Sequence, residues 1–184
     1  MLADDIEPNR LELVKSLLKK LVNEKNRRQR FSIILFAKDA IILCPLTNEK
    51  KKLLNEIEQI EVGKLQNGTS IYTGLMFGIF ELISSESEKK NIMLFSDGAL
   101  NVEEYSLDLL DQLTANQKIR VHSFGVGCKD AATYPMTKTS EGEYIFVRQQ
   151  AEVDEEKLKS IAGKLGGNYS KLDCHADIYF LDHF

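Results

Sequence analysis

Apolar residues recur at helical spacing soon after the start of the chain. Leu11, Val14, Leu18 and Leu21 form one stripe, widened by Leu17 and Val22. The spacing predicts a helix with Pro8 as an early helical residue, ending near the basic stretch 25–30, where cations suit the helix dipole. The run from Phe31 to Phe36 then reads as a buried strand, and Lys38-Asp39 is a short polar turn into Ala40–Leu46. So short a connection excludes a crossover, so this pair is predicted to be an antiparallel hairpin at one sheet edge, where Pro45 is tolerated. A helix over 48–59 carries Leu53, Leu54 and Ile57, and the next carries Ile71, Leu75, Ile79 and Leu82. A strand over 91–96 follows. Ser106 is a cap for a fourth helix with Leu109, Leu110 and Leu113, which feeds a strand over 119–125.

Residues 128–150 interrupt this alternation. Tyr134-Pro135, the turn at 141–143 and the run from Tyr144 to Val147 suggest an inserted β-hairpin. Asp154 then caps a helix with Leu158, Ile161 and Leu165, stopped by Gly166-Gly167. A short strand at 168–171 and an amphipathic helix at 176–184 complete the reading. Alternating strands and helices predict an α/β domain over 1–184: a Rossmann-like, mostly parallel sheet with helices on both faces and one antiparallel edge strand.

Composition narrows what such a domain does. The chain has 184 residues, 43% hydrophobic and 28% charged, and is long enough to fold as one domain. A formal net charge of −4 argues against nucleic acid as a general partner. Cys44, Cys128 and Cys174 form no C-x-x-C pair and read as reduced thiols, and only His122, His175 and His183 could serve as imidazole ligands. No segment approaches the run of about 20 apolar residues that spans a bilayer, and the acidic N-terminus has no signal-peptide character. The chain as given is therefore expected to be soluble.

In open α/β sheets, ligands bind at the carboxyl ends of the strands. Three segments should converge there. Asp97-Gly98 follows a strand, Thr69-Ser70 opens a helix, and Gly125-Val-Gly127 ends the next strand. A carboxylate and hydroxyls facing one crevice make an all-oxygen site suited to Mg²⁺ or Mn²⁺. The same residues also read as a turn cap at Asp97 and a helix cap at Thr69.

Taken together, Asn67-Gly-Thr69-Ser-Ile71, Leu94-Phe-Ser-Asp97-Gly98 and the stretch Ile119–Gly127 resemble the von Willebrand factor type A (vWA) family over nearly the whole chain. The N-terminal stretch 1–11, Phe36-Ala37, Cys44-Pro-Leu-Thr47 and Tyr134-Pro135 ahead of Asp154-Glu-Glu are similar to the bacterial Bat (aerotolerance-type) members. The resemblance implies a metal-ion-dependent adhesion site (MIDAS) in which Thr69 and Asp97 hold Mg²⁺ and a protein partner supplies an acidic residue. It also implies a link to MoxR-type AAA+ ATPases and relatives tethered to the bacterial inner membrane. Ser70, Gly98 and the hairpin tyrosines Tyr134 and Tyr144 are the candidate partner contacts.

The family's Asp-x-Ser-x-Ser motif has no counterpart here. Met1 falls immediately after the place of its last Ser, so the central first strand that carries the motif is missing. Two oxygens alone should hold Mg²⁺ poorly, leaving the metal site incomplete and this chain possibly without a cofactor. The strands at 31–36 and 91–96 should expose unpaired edges. These close on each other, accept a strand from another chain to give a strand-complemented oligomer, or mark a truncation at Met1, the favoured reading. The expected function is a non-enzymatic protein–protein interaction module. The alternatives are a metal-independent vWA scaffold and an α/β hydrolase or phosphatase using Asp97. The last is opposed by the lack of a G-x-S-x-G elbow, a P-loop or an Asp-x-Asp motif.

Overall fold

The computed structural model describes residues 1, 3–61, 63, 65, 68–98, 107–128, 131–139, 141, 144–150 and 153–173. Helices α1 (Arg10–Glu24), α2 (Lys50–Glu58), α3 (Ile71–Ile83), α4 (Leu107–Gln117) and α5 (Glu155–Lys164) alternate with strands. The strands are β1 (Phe31–Phe36), β2 (Ala40–Thr47), β3 (Lys90–Ser96), β4 (Ile119–Val126), β5 (Ala131–Lys138), β6 (Tyr144–Gln150) and β7 (Tyr169–Leu172). The α/β architecture read from periodicity is present, with β2 as its antiparallel edge strand. Ser106, the helix at 176–184, Cys174, His175 and His183 lie outside the described residues.

Side-chain caps set several helix starts. Asn9 Oδ1 accepts from the Glu12 N–H at 3.0 Å, so α1 opens at Arg10 and Pro8 stays outside it. Ser70 caps α3 through the Thr73 N–H, and Asp154 caps α5 through the Lys157 N–H. Thr69, read as one cap candidate, lies one residue ahead of the residue that performs this role.

Period-two alternation divides the core into two faces. Leu94 of β3 with Ile119 and Val121 of β4 packs under Ile71, Leu75 and Ile79 of α3 and Leu158 and Ile161 of α5. On the opposite face, Phe124 and Val126 pack with Val14 and Leu17 of α1, joined by Met93 and Phe95. The Phe95 and Phe124 rings stack with centroids 4.8 Å apart. Val22 of α1 and Leu53 and Ile57 of α2 cover Ile33 and Cys44 of the β1–β2 pair.

The sheet is not continuous. β3, β4 and β7 form one parallel sheet in the order β3-β4-β7, β1 pairs only with β2, and β5 pairs with β6. No described strand joins β1 to β3. The two unpaired edges therefore neither close on each other nor find a partner, as expected where a central strand is absent.

Close approach of α3 to β1 makes a checkable contrast. A Cβ on Gly74 would sit 2.8 Å from Phe36 Cγ, whereas a Cβ on Gly163 in α5 would meet nothing within 4 Å. Gly74→Ala is expected to destabilise by about 1–3 kcal/mol through overpacking. Gly163→Ala should stabilise by about 0.5–1 kcal/mol through helix propensity. Urea unfolding of both variants separates the two, and equal shifts would refute the close approach.

Candidate functional site

The crest of the molecule is built where β3 and β4 end. Asp97 and Gly98 follow β3, Gly127 and Cys128 follow β4, and Thr69-Ser70 sits at the end of β1, where the Ser70 N–H donates to Ala37 O at 2.6 Å. Thr69 and Asp97 line the two sides of one cavity. Gly98 has φ +75, its N–H donates to Ser96 Oγ, and a Cβ there would meet Asp154 O at 2.7 Å. The Asp154 N–H in turn donates to Asp97 O at 2.9 Å, so the Asp97 backbone seats the start of α5.

Asp97 is held from below by a residue the sequence reading did not single out. Arg10, in the first turn of α1, is fully buried, and its Nη1 donates to Asp97 Oδ2 at 3.2 Å. Its Nε and Nη2 make a two-point contact with Asp5 at 2.8 and 2.9 Å. Asp5 Oδ2 also accepts from the Cys128 N–H at 2.6 Å. Gly127 makes room for this arrangement, since a Cβ there would lie 2.7 Å from Arg10 Cζ. One cation thus joins the N-terminal segment, the end of β3 and, through Asp5, the end of β4.

Asp4 and Asp5, read from sequence as acidic residues suited to the helix dipole, act instead as anchors. The Thr133 N–H donates to Asp4 Oδ1 at 2.7 Å, which ties the β5–β6 hairpin to the N-terminal segment and lowers the Asp4 pKa. Burial alone would push the Asp5 carboxyl up. The Arg10 guanidinium and the Cys128 N–H overcome it and hold the group below the usual aspartate range. Burial pushes the Met1 amino group down, against the attraction of Asp97. A clue to Arg10 did exist in the sequence: Arg10, Val14, Leu17 and Leu21 share one helical face, so an arginine heads the apolar stripe.

The remaining predicted residues fall into place unevenly. Ser70 is buried, with its Oγ 2.7 Å from Thr73 Oγ1, and Gly98 is buried against Asp154. Tyr134 and Tyr144 lie on β5 and β6, but their side chains fall outside what the structure describes. On the same hairpin, Ile145 and Val147 are exposed.

The donor set fits magnesium badly. Among the described residues, no three His, Cys, Asp or Glu side chains converge on a common point. Asp97, the carboxylate the resemblance assigns to the metal, already carries a guanidinium, whose charge opposes a second cation.

Removing Arg10 should therefore cost more than a surface ion pair would. Arg10→Met leaves the fully buried Asp5 side chain uncompensated, with an expected loss of about 3–5 kcal/mol in chemical unfolding. Because the folded-state pKa of Asp5 is depressed, its contribution is complete above the ordinary aspartate pKa. That contribution is lost as pH falls through the folded value. Asp5→Asn should flatten the acid limb of the stability–pH curve, and an unchanged limb would count against the assignment.

Comparison with known proteins agrees with the fold and the site. The von Willebrand factor type A domain profile matches residues 1–99. An uncharacterized protein of Borreliella burgdorferi is 26% identical over 159 residues, covering 86% of this chain and 46% of that protein, so the chain spans about half the length of this relative. The crystal structure of an aerotolerance-related membrane protein from Bacteroides fragilis superposes with a TM-score of 0.78 at 27% identity, over 94% of this chain and 86% of that one. BatB from Bacteroides thetaiotaomicron gives the same TM-score and identity, over 94% and 84%. With its profile match, its alternating α/β order and its crest at the strand ends, this chain belongs to the von Willebrand factor type A domain family.

Proposed function

We propose that this chain is a protein-docking module whose crest meets its partner through shape and fixed charge, without a magnesium ion of its own. The observation that carries the reading is the ion pair between buried Arg10 and Asp97. The cation that would otherwise come from solution is supplied by the protein, so Asp97 acts as a pivot of the crest. The β5–β6 hairpin, tied to the crest segment through Asp4, offers Ile145 and Val147 to a partner. Thr69, Ser70, Gly98 and the hairpin tyrosines Tyr134 and Tyr144 are the proposed contact residues around it.

By resemblance to the Bat proteins, a MoxR-type AAA+ ATPase is a proposed partner and attachment to the bacterial inner membrane a proposed setting. No helix among the described residues is long and apolar enough to cross a membrane, so such attachment would come from elsewhere. A second reading keeps the metal. Thr69 and Asp97 face each other across the cavity, so a strand carrying further oxygen ligands between them would complete a magnesium site.

Turnover is the weaker reading of Asp97. In the β3–β4 register Met93 pairs with His122, so His122 lies about 13 Å down the sheet from the level of Asp97 at the usual strand rise. His122 is also buried, and its Nδ1 accepts from the Asn168 N–H at 3.3 Å.

Photocrosslinkers at Thr133 and Ile145, used in cell extract with either EDTA or Mg²⁺, test the docking reading. Crosslinks to a discrete protein are expected in both conditions, and Arg10→Met should reduce them severalfold by loosening the crest. Crosslinks that form only with Mg²⁺ would favour the metal-dependent reading. Labelling without any discrete product would overturn docking at the crest.

A further inference from the structure

β1 and β3 run in the same direction on either side of a gap. The Ser70 N–H at the start of α3 donates to Ala37 O just past β1, and beyond the end of α3 Ser85 Oγ accepts from Arg30 just ahead of β1. α3 therefore returns the chain from the end of β1 to the level of its beginning, where β3 opens at Lys90. Each strand has one paired edge, β1 to β2 and β3 to β4, and no described strand bonds to the other. Their Cα atoms almost nowhere approach within 8 Å.

Helices close the gap above and below. A Cβ on Gly78 of α3 would lie 3.1 Å from Ile92 Cδ1 and 3.8 Å from Ile34 Cδ1, so both strands reach the same point of one roof. α1 makes the floor, with Val14 and Leu17 packed with Met93 and Phe95, and Leu18 and Val22 packed with Ile33 and Leu35. A cavity of about 1500 Å³ runs between these walls. Ile34, Leu35, Ile92 and Phe95 remain only half-buried although they belong to the middle of the molecule. At the mouth where β1 and β3 begin, Arg28, Arg30, Lys89 and Lys90 outnumber Glu24 and Glu88 along the lining.

We propose that this slot takes an extended segment of a second polypeptide as an added β-strand, parallel to β1 and β3. The facing edges offer backbone donors and acceptors on both sides, so one strand seated about 4.8 Å from each neighbour would join the two sheets into one. With a helix above and another below, its side chains are buried on both faces, so about six continuous apolar residues are required. The basic mouth selects acidic residues just ahead of that run, which sets the parallel direction by charge complementarity. This surface is distinct from the crest, and the inference does not rest on the docking reading.

The test uses the chain as it stands with a labelled synthetic peptide, Glu-Glu-Val-Ile-Leu-Val-Val-Leu. Saturable binding by fluorescence anisotropy is expected, with slowed amide hydrogen exchange in both 31–36 and 91–96. A peptide with proline at the centre of the apolar run loses a donor and should bind about tenfold more weakly or worse. Moving the two glutamates to the other end should weaken binding about fivefold by removing the match to the basic mouth. Protection of neither edge, or of one alone, would overturn the proposal. Equal binding of all three peptides would do the same, because it would mean a merely adhesive apolar surface. If the chain alone sediments as a dimer with both edges already protected, the occupant is a second copy and a foreign strand is wrong.

Discussion

A buried guanidinium organises the upper half of this molecule. Arg10 is fully enclosed, and a lone cation there would be costly, so the surrounding chain is arranged to neutralise it. Asp5 takes two of its donors and Asp97 a third, while the Cys128 N–H fills a further lone pair on Asp5. Gly127 must be glycine in this packing because the guanidinium occupies the space a side chain would need. The relative positions of the N-terminal segment, the end of β3 and the end of β4 all follow from satisfying one charge.

That constraint also decides what the crest can do. Thr69 and Asp97 stand at a place where this family is expected to hold a metal ion, but a protein-borne cation is already in contact with the carboxylate. A fixed cation cannot be removed by a chelator and does not exchange with solvent. It gives rigidity and a fixed field where a metal would give an open coordination position. Binding at such a crest depends on the neighbouring surface, here the β5–β6 hairpin with its exposed Ile145 and Val147, anchored through Asp4.

The break between β1 and β3 is the second organising feature. Helices α1 and α3 each pack on both halves, so the layers stay together without a hydrogen-bonded strand at the centre. Their apolar faces are matched to strand surfaces on either side of the slot. The core is consequently complete at β4, where residues 121–128 are all buried, and incomplete at the facing edges of β1 and β3.

Much of the architecture was legible in the order of residues. Helical stripes such as Leu11-Val14-Leu18-Leu21, the apolar runs at 31–36 and 119–125, and the caps at Ser70 and Asp154 depend on neighbours close along the chain. The absent central strand was legible too, because it is a property of the order of segments. Arg10 was not: as one more charged residue near a helix start, its burial depends on Asp5, Asp97 and Gly127, the last two far away in sequence. Asp4 and Asp5 were likewise misread as dipole partners, since the N–H groups they accept from belong to residues more than a hundred positions later. Periodicity and capping are local, so the sequence alone determined the elements, their order and the family they resemble. Desolvation and charge pairing are set by whatever surrounds a group in space. Only the tertiary structure could therefore decide that Asp97 is held by an arginine and that β1 and β3 stand apart around an empty slot.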